Sequence, residues 1–265
     1  MISVQNLTVK YAPRSPDVLC KCSVDFADGS FTAVVGPNGC GKSTLLKSIL
    51  KLIPVESGLV KLGSRPIHEY SRKELAREIA FLPQSNACPD YLTVEELVEL
   101  GTYSHAEFLS VRRGANRERV AEALLHVGLS EQAGSYVNQL SGGQQQRAFL
   151  GMVLAQDAQI LMLDEPINHL DLQHQHSLLQ LLKELVGQFG KTVIAVLHDL
   201  NLAAQYAERL VLMHKGAVAL HDSIESAFAK PIIEQVFDVT GQVVSHERGR
   251  VFVVENASSK ISEHL

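Results

Sequence analysis

No stretch of this chain reaches the about 18 to 20 consecutive apolar residues that a bilayer-spanning helix requires. A membrane role is therefore expected only through partners. The start, Met1-Ile2-Ser3-Val4-Gln5-Asn6, lacks the charged region and apolar stretch of a secretory signal. A cytoplasmic protein is the expectation. Cysteine is sparse, with Cys20, Cys22, Cys40 and Cys88 as the complete set. Cys20 and Cys22 have the spacing of half a metal site, but no second pair matches them and the eleven histidines are scattered. Reduced structural thiols are expected. Basic residues are outnumbered, 24 against 29 acidic, and form no run. The resulting net charge of −5 does not favour a polyanion, so nucleic acid is not an expected partner. Internal repeats and low-complexity segments are missing too.

What is present suits a packed core. Hydrophobic residues make up 46% of the chain and charged residues 20%, which argues against disorder. The 265 residues suffice for one large domain, or one domain carrying a smaller lobe. Ile2, Val4, Leu7 and Val9 alternate with polar residues and predict a half-exposed strand. A loop from Ala12 through Pro13 to Asp17 follows. A second strand is predicted over Val18 to Phe26, with Asp28-Gly29 as a hairpin-type turn. Phe31 to Val35 reads as a buried strand, and Ser43 to Leu52 has helical spacing. Short strands and turns are expected from Pro54 to Leu82. Helices dominate from Thr93 to about Leu154, one opened by a Thr93/Glu96 capping box and others over Arg117 to Val127 and after Ser141. The apolar runs Ile160 to Leu163 and Val193 to Leu197 flank a helical stretch over Gln173 to Val186. Such alternation indicates an α/β fold with a mainly parallel sheet. Residues 1–85 and 157–230 are expected to form a core with a β lobe, 86–156 a helical insertion, and 231–265 a strand-containing tail packed on the core.

Gly36-Pro37-Asn38-Gly39-Cys40-Gly41-Lys42-Ser43-Thr44 fits the phosphate-loop pattern between a strand and a helix. The glycines let backbone N–H groups turn inward around phosphate oxygens, and the helix adds its positive end. Lys42 can reach the β- and γ-phosphates, and the Ser43 hydroxyl can coordinate Mg²⁺. A small side chain suffices at Cys40. Downstream, Ile160-Leu161-Met162-Leu163-Asp164-Glu165 is an apolar strand ending in two acids. Alone it is an ordinary strand end. Beside a phosphate loop, Asp164 is placed to hold Mg²⁺ and Glu165 to polarise the attacking water. These two motifs indicate an NTPase that uses Mg²⁺ and leave the nucleotide open.

Gln139-Leu140-Ser141-Gly142-Gly143-Gln144-Gln145-Gln146-Arg147 opens a helix at a second anion-binding end. On these residues the chain resembles the ATP-binding-cassette (ABC) family, whose signature is Leu-Ser-Gly-Gly-Gln. The resemblance covers nearly the whole chain and implies an ABC-type phosphate-loop NTPase core, an N-terminal antiparallel β lobe and an inserted helical lobe. It implies that Ser141, Gly142, Gly143 and Gln144 of one copy close over the γ-phosphate held by the other. Tyr11 resembles the residue that stacks on adenine. Gln84 resembles the glutamine that senses Mg²⁺ and links core to helical lobe. Asn168, His169, Leu170 and Asp171 resemble the loop that crosses the dimer interface. His198 resembles the histidine that contacts the γ-phosphate.

A finer resemblance is to importers of ferric siderophores, haem and cobalamin. It rests on Arg147 to Gln156, with Met152 where many cassettes carry Arg, on Asp171 to Gln175, on Val196 to Ala203 and on Asp90 to Val98. The iron(III)-siderophore type is the best match. The resemblance implies a head-to-tail homodimer and integral membrane permease subunits, which would dock in a groove partly built by the Asp90 region. A substrate-binding protein would act indirectly. The expected location is peripheral, on the cytoplasmic side of the inner membrane. Three features depart from the family pattern: Ile167 replaces the usual Thr, residues 13 to 17 lengthen the loop after Tyr11, and Leu220-His221-Asp222 stands where a Gly-containing turn is usual. The alternative is a soluble ABC ATPase acting on ribosomes or DNA, whose members share the Asn168-His169-Leu170-Asp171 pattern. Those proteins usually carry two cassettes, whereas this chain has one and an acidic balance. A non-hydrolysing regulatory cassette is disfavoured because Glu165 and His198 are both present.

Overall fold

Alternation builds the first sheet. In β1 (Ile2–Val9) the apolar positions Ile2, Val4, Leu7 and Val9 are buried, as are Leu19, Cys22, Val24 and Phe26 of β2 (Leu19–Phe26). β1 runs antiparallel to β2 on one side and to β4 (Ser57–Leu62) on the other, and β4 pairs with the short β5 (Arg65–Pro66). Burial pushes the Cys22 thiol up to about 11, which fits an inert, reduced side chain. The structure, a computed structural model, describes residues 1–12, 14–86, 88–105, 113–168, 170–246 and 249–257. It divides into two compact units: Met1–Pro66 with Val196–Leu265, and Ile67–Ala195.

In the first unit, Asp28-Gly29 turns the chain but forms no hairpin. β3 (Phe31–Val35) leaves β2 behind and pairs in parallel with β9 (Arg209–His214). The reason lies in its composition, because all five residues of β3 are buried and a strand of that kind needs cover on both faces. α1 (Lys42–Ile49) follows directly and buries Leu45, Leu46 and Ile49. β9 turns at Lys215-Gly216 into the antiparallel β10 (Ala217–Ser223). Leu220, His221 and Asp222 therefore lie within a strand, opposite Leu212, Val211 and Leu210, and make no turn.

α7 (Leu200–Tyr206), α8 (Ile224–Phe228) and α9 (Ile232–Phe237) complete this unit with a hairpin of β11 (Val239–His246) and β12 (Gly249–Ala257). Val236-Phe237, in the tail expected to contain strands, ends α9. Asn201 ties the hairpin to α7, while Arg250 of β12 donates to Glu225 of α8 at 2.9 Å and 3.2 Å and the Gly241 N–H donates to Glu234 of α9 at 2.9 Å. Asn201 donates through Nδ2 to the Phe252 carbonyl at 3.2 Å and accepts from the Phe252 N–H at 2.8 Å. A two-stranded ribbon is marginal alone. In Asn201→Ala the β11 and β12 amides are expected to exchange with solvent about tenfold faster than in the wild type, with the other amides unchanged. Unchanged exchange in the hairpin would show that the Arg250 and Gly241 contacts hold it without Asn201.

In the second unit, α2 (Arg72–Glu78) stands where the sequence reading expected only strands and turns. Its signal is the Ser71/Glu74 capping box: the Ser71 N–H donates to Glu74 at 2.7 Å and the Glu74 N–H to the Ser71 hydroxyl at 3.2 Å. β6 (Ile79–Leu82) pairs in parallel with β7 (Ile160–Asp164). Between them in sequence lie α3 (Val94–Leu100), α4 (Arg113–His126) and α5 (Gly142–Ala155), packed on one another. The expected Thr93/Glu96 box opens α3, and its hydrogen bonds hold the Glu96 carboxyl below the usual range. α6 (Leu172–Phe189) buries Leu178, Leu179, Leu182, Leu185 and Val186 at helical spacing. β8 (Thr192–Val196) returns the chain to the first unit. Among the described residues no helix is long and apolar enough to cross a membrane.

Candidate functional site

The first unit carries the phosphate loop, residues 36–41, between β3 and α1. Gly36 and Gly41 sit at φ 151° and 106° in the left-handed half of the map. A Cβ on Gly36 would meet the Met213 carbonyl at 2.3 Å, and one on Gly41 would meet Leu19 at 2.7 Å. Glycine is thus required there both by backbone conformation and by space. Asn38 and Gly39 are exposed at the tip, while Pro37 is partly covered. Cys40 is buried, and burial raises its thiol above the ordinary value despite the opposing charge of Lys42.

Lys42 is buried, and its ammonium donates to the carbonyls of Gly36 at 2.7 Å and Pro37 at 3.0 Å. The loop therefore folds over its own lysine. α1 has Gly41 as N-cap with no side-chain capping bond and no acid in its first turn. A helix end without a capping side chain or an acid suits a phosphate chain. Ser43 and Thr44 stand on that first turn. The Tyr11 hydroxyl shares a hydrogen bond of 2.9 Å with the Thr44 hydroxyl, and 61% of Tyr11 is exposed. A flat ring beside the phosphate loop, open on one side, can stack on a base. Pro13, in the lengthened loop after Tyr11, lies outside the described residues.

His198 is exposed two residues beyond β8. The N–H of Leu197 donates to the Val34 carbonyl at 3.1 Å, which sets His198 beside the strand that feeds the phosphate loop. Asp199 caps α7 by accepting from Asn201 at 2.7 Å and Leu202 at 3.0 Å.

The second unit carries the acids. β7 ends in Asp164, fully buried, and Glu165, 7% exposed. Glu165 adopts φ 57°, a left-handed conformation that is strained for a residue with a long side chain. Its Oε2 accepts from the Gln84 amide at 2.7 Å and from the Asn168 amide. The next residues are pinned from two helices. Gln146 of α5 donates to the Pro166 carbonyl at 3.1 Å, and Gln175 of α6 to the Leu170 carbonyl at 3.0 Å. Asp171 caps α6 through the His174 N–H at 2.9 Å and meets the His174 ring at 2.7 Å. These contacts hold the Asp171 carboxyl below its usual range. Ile167 is buried, which explains an apolar residue where the family pattern has a hydroxyl. His169 lies outside the described residues.

Ser141 caps α5 in a reciprocal box with Gln144, at 3.3 Å and 3.0 Å. Gly142 and Gly143 form the first turn, with Leu170 at ordinary contact distance from the space a Gly143 Cβ would take. Gln84, 81 residues from Glu165 in sequence, thus shares one hydrogen-bonded cluster with Glu165 and Asn168. The signature helix touches the loop that follows it in the chain. Gln146 and Gln175 were not singled out from the sequence. Gln146 sits in a run of three glutamines, and nothing in the pattern separates a glutamine that pins a loop from a solvated one.

Comparison with known proteins adds the family. A family model described as "ABC transporter" matches residues 19–168. The ferric enterobactin transport ATP-binding protein FepC of Escherichia coli (strain K12) is 40% identical over 240 residues, 91% of this chain and 88% of that protein. The iron(3+)-hydroxamate import ATP-binding protein FhuC of Bacillus subtilis (strain 168) is 36% identical, covering 93% of this chain and 91% of its own length. The solved dimeric structure of a bacterial ABC transporter cassette superposes with a TM-score of 0.76 at 31% identity, covering 84% of this chain and 99% of that one.

Proposed function

This chain belongs to the ABC transporter family as an ATP-binding, ATP-hydrolysing subunit, and we propose that it powers import of an iron(III)-siderophore complex. The phosphates of ATP are held by residues 36–44, with Lys42 on the β- and γ-groups and Tyr11 on the adenine. Ser43, Asp164 and Gln84 hold Mg²⁺, which when bound neutralises charge on the phosphate oxygens. Glu165 orients and deprotonates the attacking water. His198 supports the γ-phosphate.

Two copies act together as a closed two-fold pair. Ser141 to Gln144 of each copy completes the site of the other, and residues 168–171 cross between them. The helical insertion of residues 86–156 transmits closure to integral membrane permease subunits, while residues 231–265 serve as a tail on the core. The chain works from the cytoplasmic face of the inner membrane, and a substrate-binding protein delivers cargo to the permease.

The observation that carries the cargo assignment is the extent of similarity to the two iron-importing relatives, which reaches about nine-tenths of each chain. The test is uptake of radioiron–siderophore complexes by cells lacking this chain. Uptake is expected to vanish, and to return with the wild-type chain but not with Glu165→Gln. Loss of haem or cobalamin uptake with siderophore uptake intact would reassign the cargo.

A further inference from the structure

We infer that Asn168 is a positioning residue for Glu165 of its own chain, an inference that rests on the reading of Glu165 as general base. Glu165 needs outside restraint. It sits at the end of a strand in a left-handed conformation that its side chain does not favour, and such a conformation persists only where the surroundings over-determine it. It is almost fully buried, so little solvent reaches its carboxylate. Two neutral amides do so instead, both on Oε2: Gln84 at 2.7 Å and Asn168.

The two amides are not equivalent. Gln84 is exposed, in a segment with no regular structure after β6. Asn168 is delivered by a turn fixed at several points. Its N–H donates to the Glu165 carbonyl at 3.3 Å, which curls the side chain back over the carboxylate. Gln146 from the signature helix pins Pro166, Ile167 is buried, and Gln175 pins Leu170. Asn168 therefore transfers the rigidity of α5 and α6 to one carboxylate oxygen. An asparagine amide suits this role because it donates to a carboxylate and does not compete for a proton. The contact lies wholly within one chain.

The test uses the full chain and four variants: Asn168→Ala, Asn168→Asp, Glu165→Gln and the Glu165→Gln/Asn168→Ala double variant. ATP turnover, the KM for ATP and ATP-dependent dimerisation by light scattering are measured on each. Asn168→Ala is expected to lower kcat about tenfold or more while KM stays within about twofold, because the base is misplaced and binding is not. Asn168→Asp, isosteric but unable to donate when ionised, is expected to lose at least as much. In the double variant the second substitution is expected to cost no further turnover, and the ATP-bound dimer is expected to persist.

A raised KM with kcat retained, an additive loss in the double variant, or loss of its dimer would overturn the inference. The last result would place the role of Asn168 across the interface. Full turnover by Asn168→Ala beside an inactive Glu165→Gln would sink the inference alone. Wild-type turnover by Glu165→Gln would sink the reading of Glu165 as base, and this inference with it.

Discussion

Glu165→Gln is expected to lower ATP turnover by about 10²-fold or more and to leave the ATP-bound protein as a dimer. The substitution changes little else. A glutamine keeps the volume of the side chain, and its carbonyl oxygen still accepts from the Gln84 and Asn168 amides that hold Glu165. What disappears is a group able to take a proton from water. If hydrolysis reopens a closed pair, a pair that binds ATP and cannot hydrolyse it stays closed, so loss of chemistry and gain of dimer should appear together. Phosphate release and light scattering with and without ATP measure the two. Hydrolysis at the wild-type rate would remove Glu165 as the base. Lost turnover with a protein that stays monomeric in ATP would mean that closure requires the membrane subunits.

Much of this arrangement is legible in the sequence, for identifiable reasons. The phosphate loop is readable because its glycines are forced: at Gly36 a neighbouring carbonyl occupies the place of a side chain. The strands that carry the site are readable because β3, β7 and β8 are buried along their whole length and so appear as short runs dominated by apolar residues. The capping boxes of α3 and α5 are local, three residues from end to end, and need no tertiary knowledge. α2 was equally legible by that rule, since Ser71 and Glu74 stand at the same spacing. It escaped because a seven-residue helix with Leu75 as its one buried side chain has almost no apolar periodicity.

What was not legible is long-range. Asp28-Gly29 has hairpin chemistry, yet β3 pairs with β9, some 180 residues downstream, and no local pattern announces that pairing. The same holds for the site. Asp199 and Asn201 read as companions of His198 in an importer motif. In the structure the first caps α7 and the second ties down a hairpin fifty-one residues away. For these two residues the geometry supplies structural reasons that the motif does not contain. The Asn168–Glu165 contact was also out of reach, because a loop residue three positions along reveals its aim only when the turn between is known.

Lys42→Ala is expected to weaken ATP binding by about 30- to 1,000-fold, the equivalent of about 2 to 4 kcal/mol for truncating one partner of a buried, charge-assisted contact. The ammonium is enclosed by its own loop, within 2.7 Å and 3.0 Å of two carbonyls, so its position is set before nucleotide arrives. Lys42→Arg should not rescue it. A planar guanidinium is larger and carries its donors in a fixed fork, and the space inside the loop is shaped for a single point charge. The fold should survive either change, because α1 is anchored by Leu45, Leu46 and Ile49, not by Lys42. Calorimetric titration with ATP, ADP and AMP, beside thermal unfolding, separates the possibilities. The loss is expected to be large for ATP and ADP and small for AMP, since the lysine addresses the β- and γ-groups. An equal loss for all three would mean that the substitution collapses the loop. Unchanged ATP affinity would mean that the backbone N–H groups at the start of α1 bind the phosphates without the lysine charge.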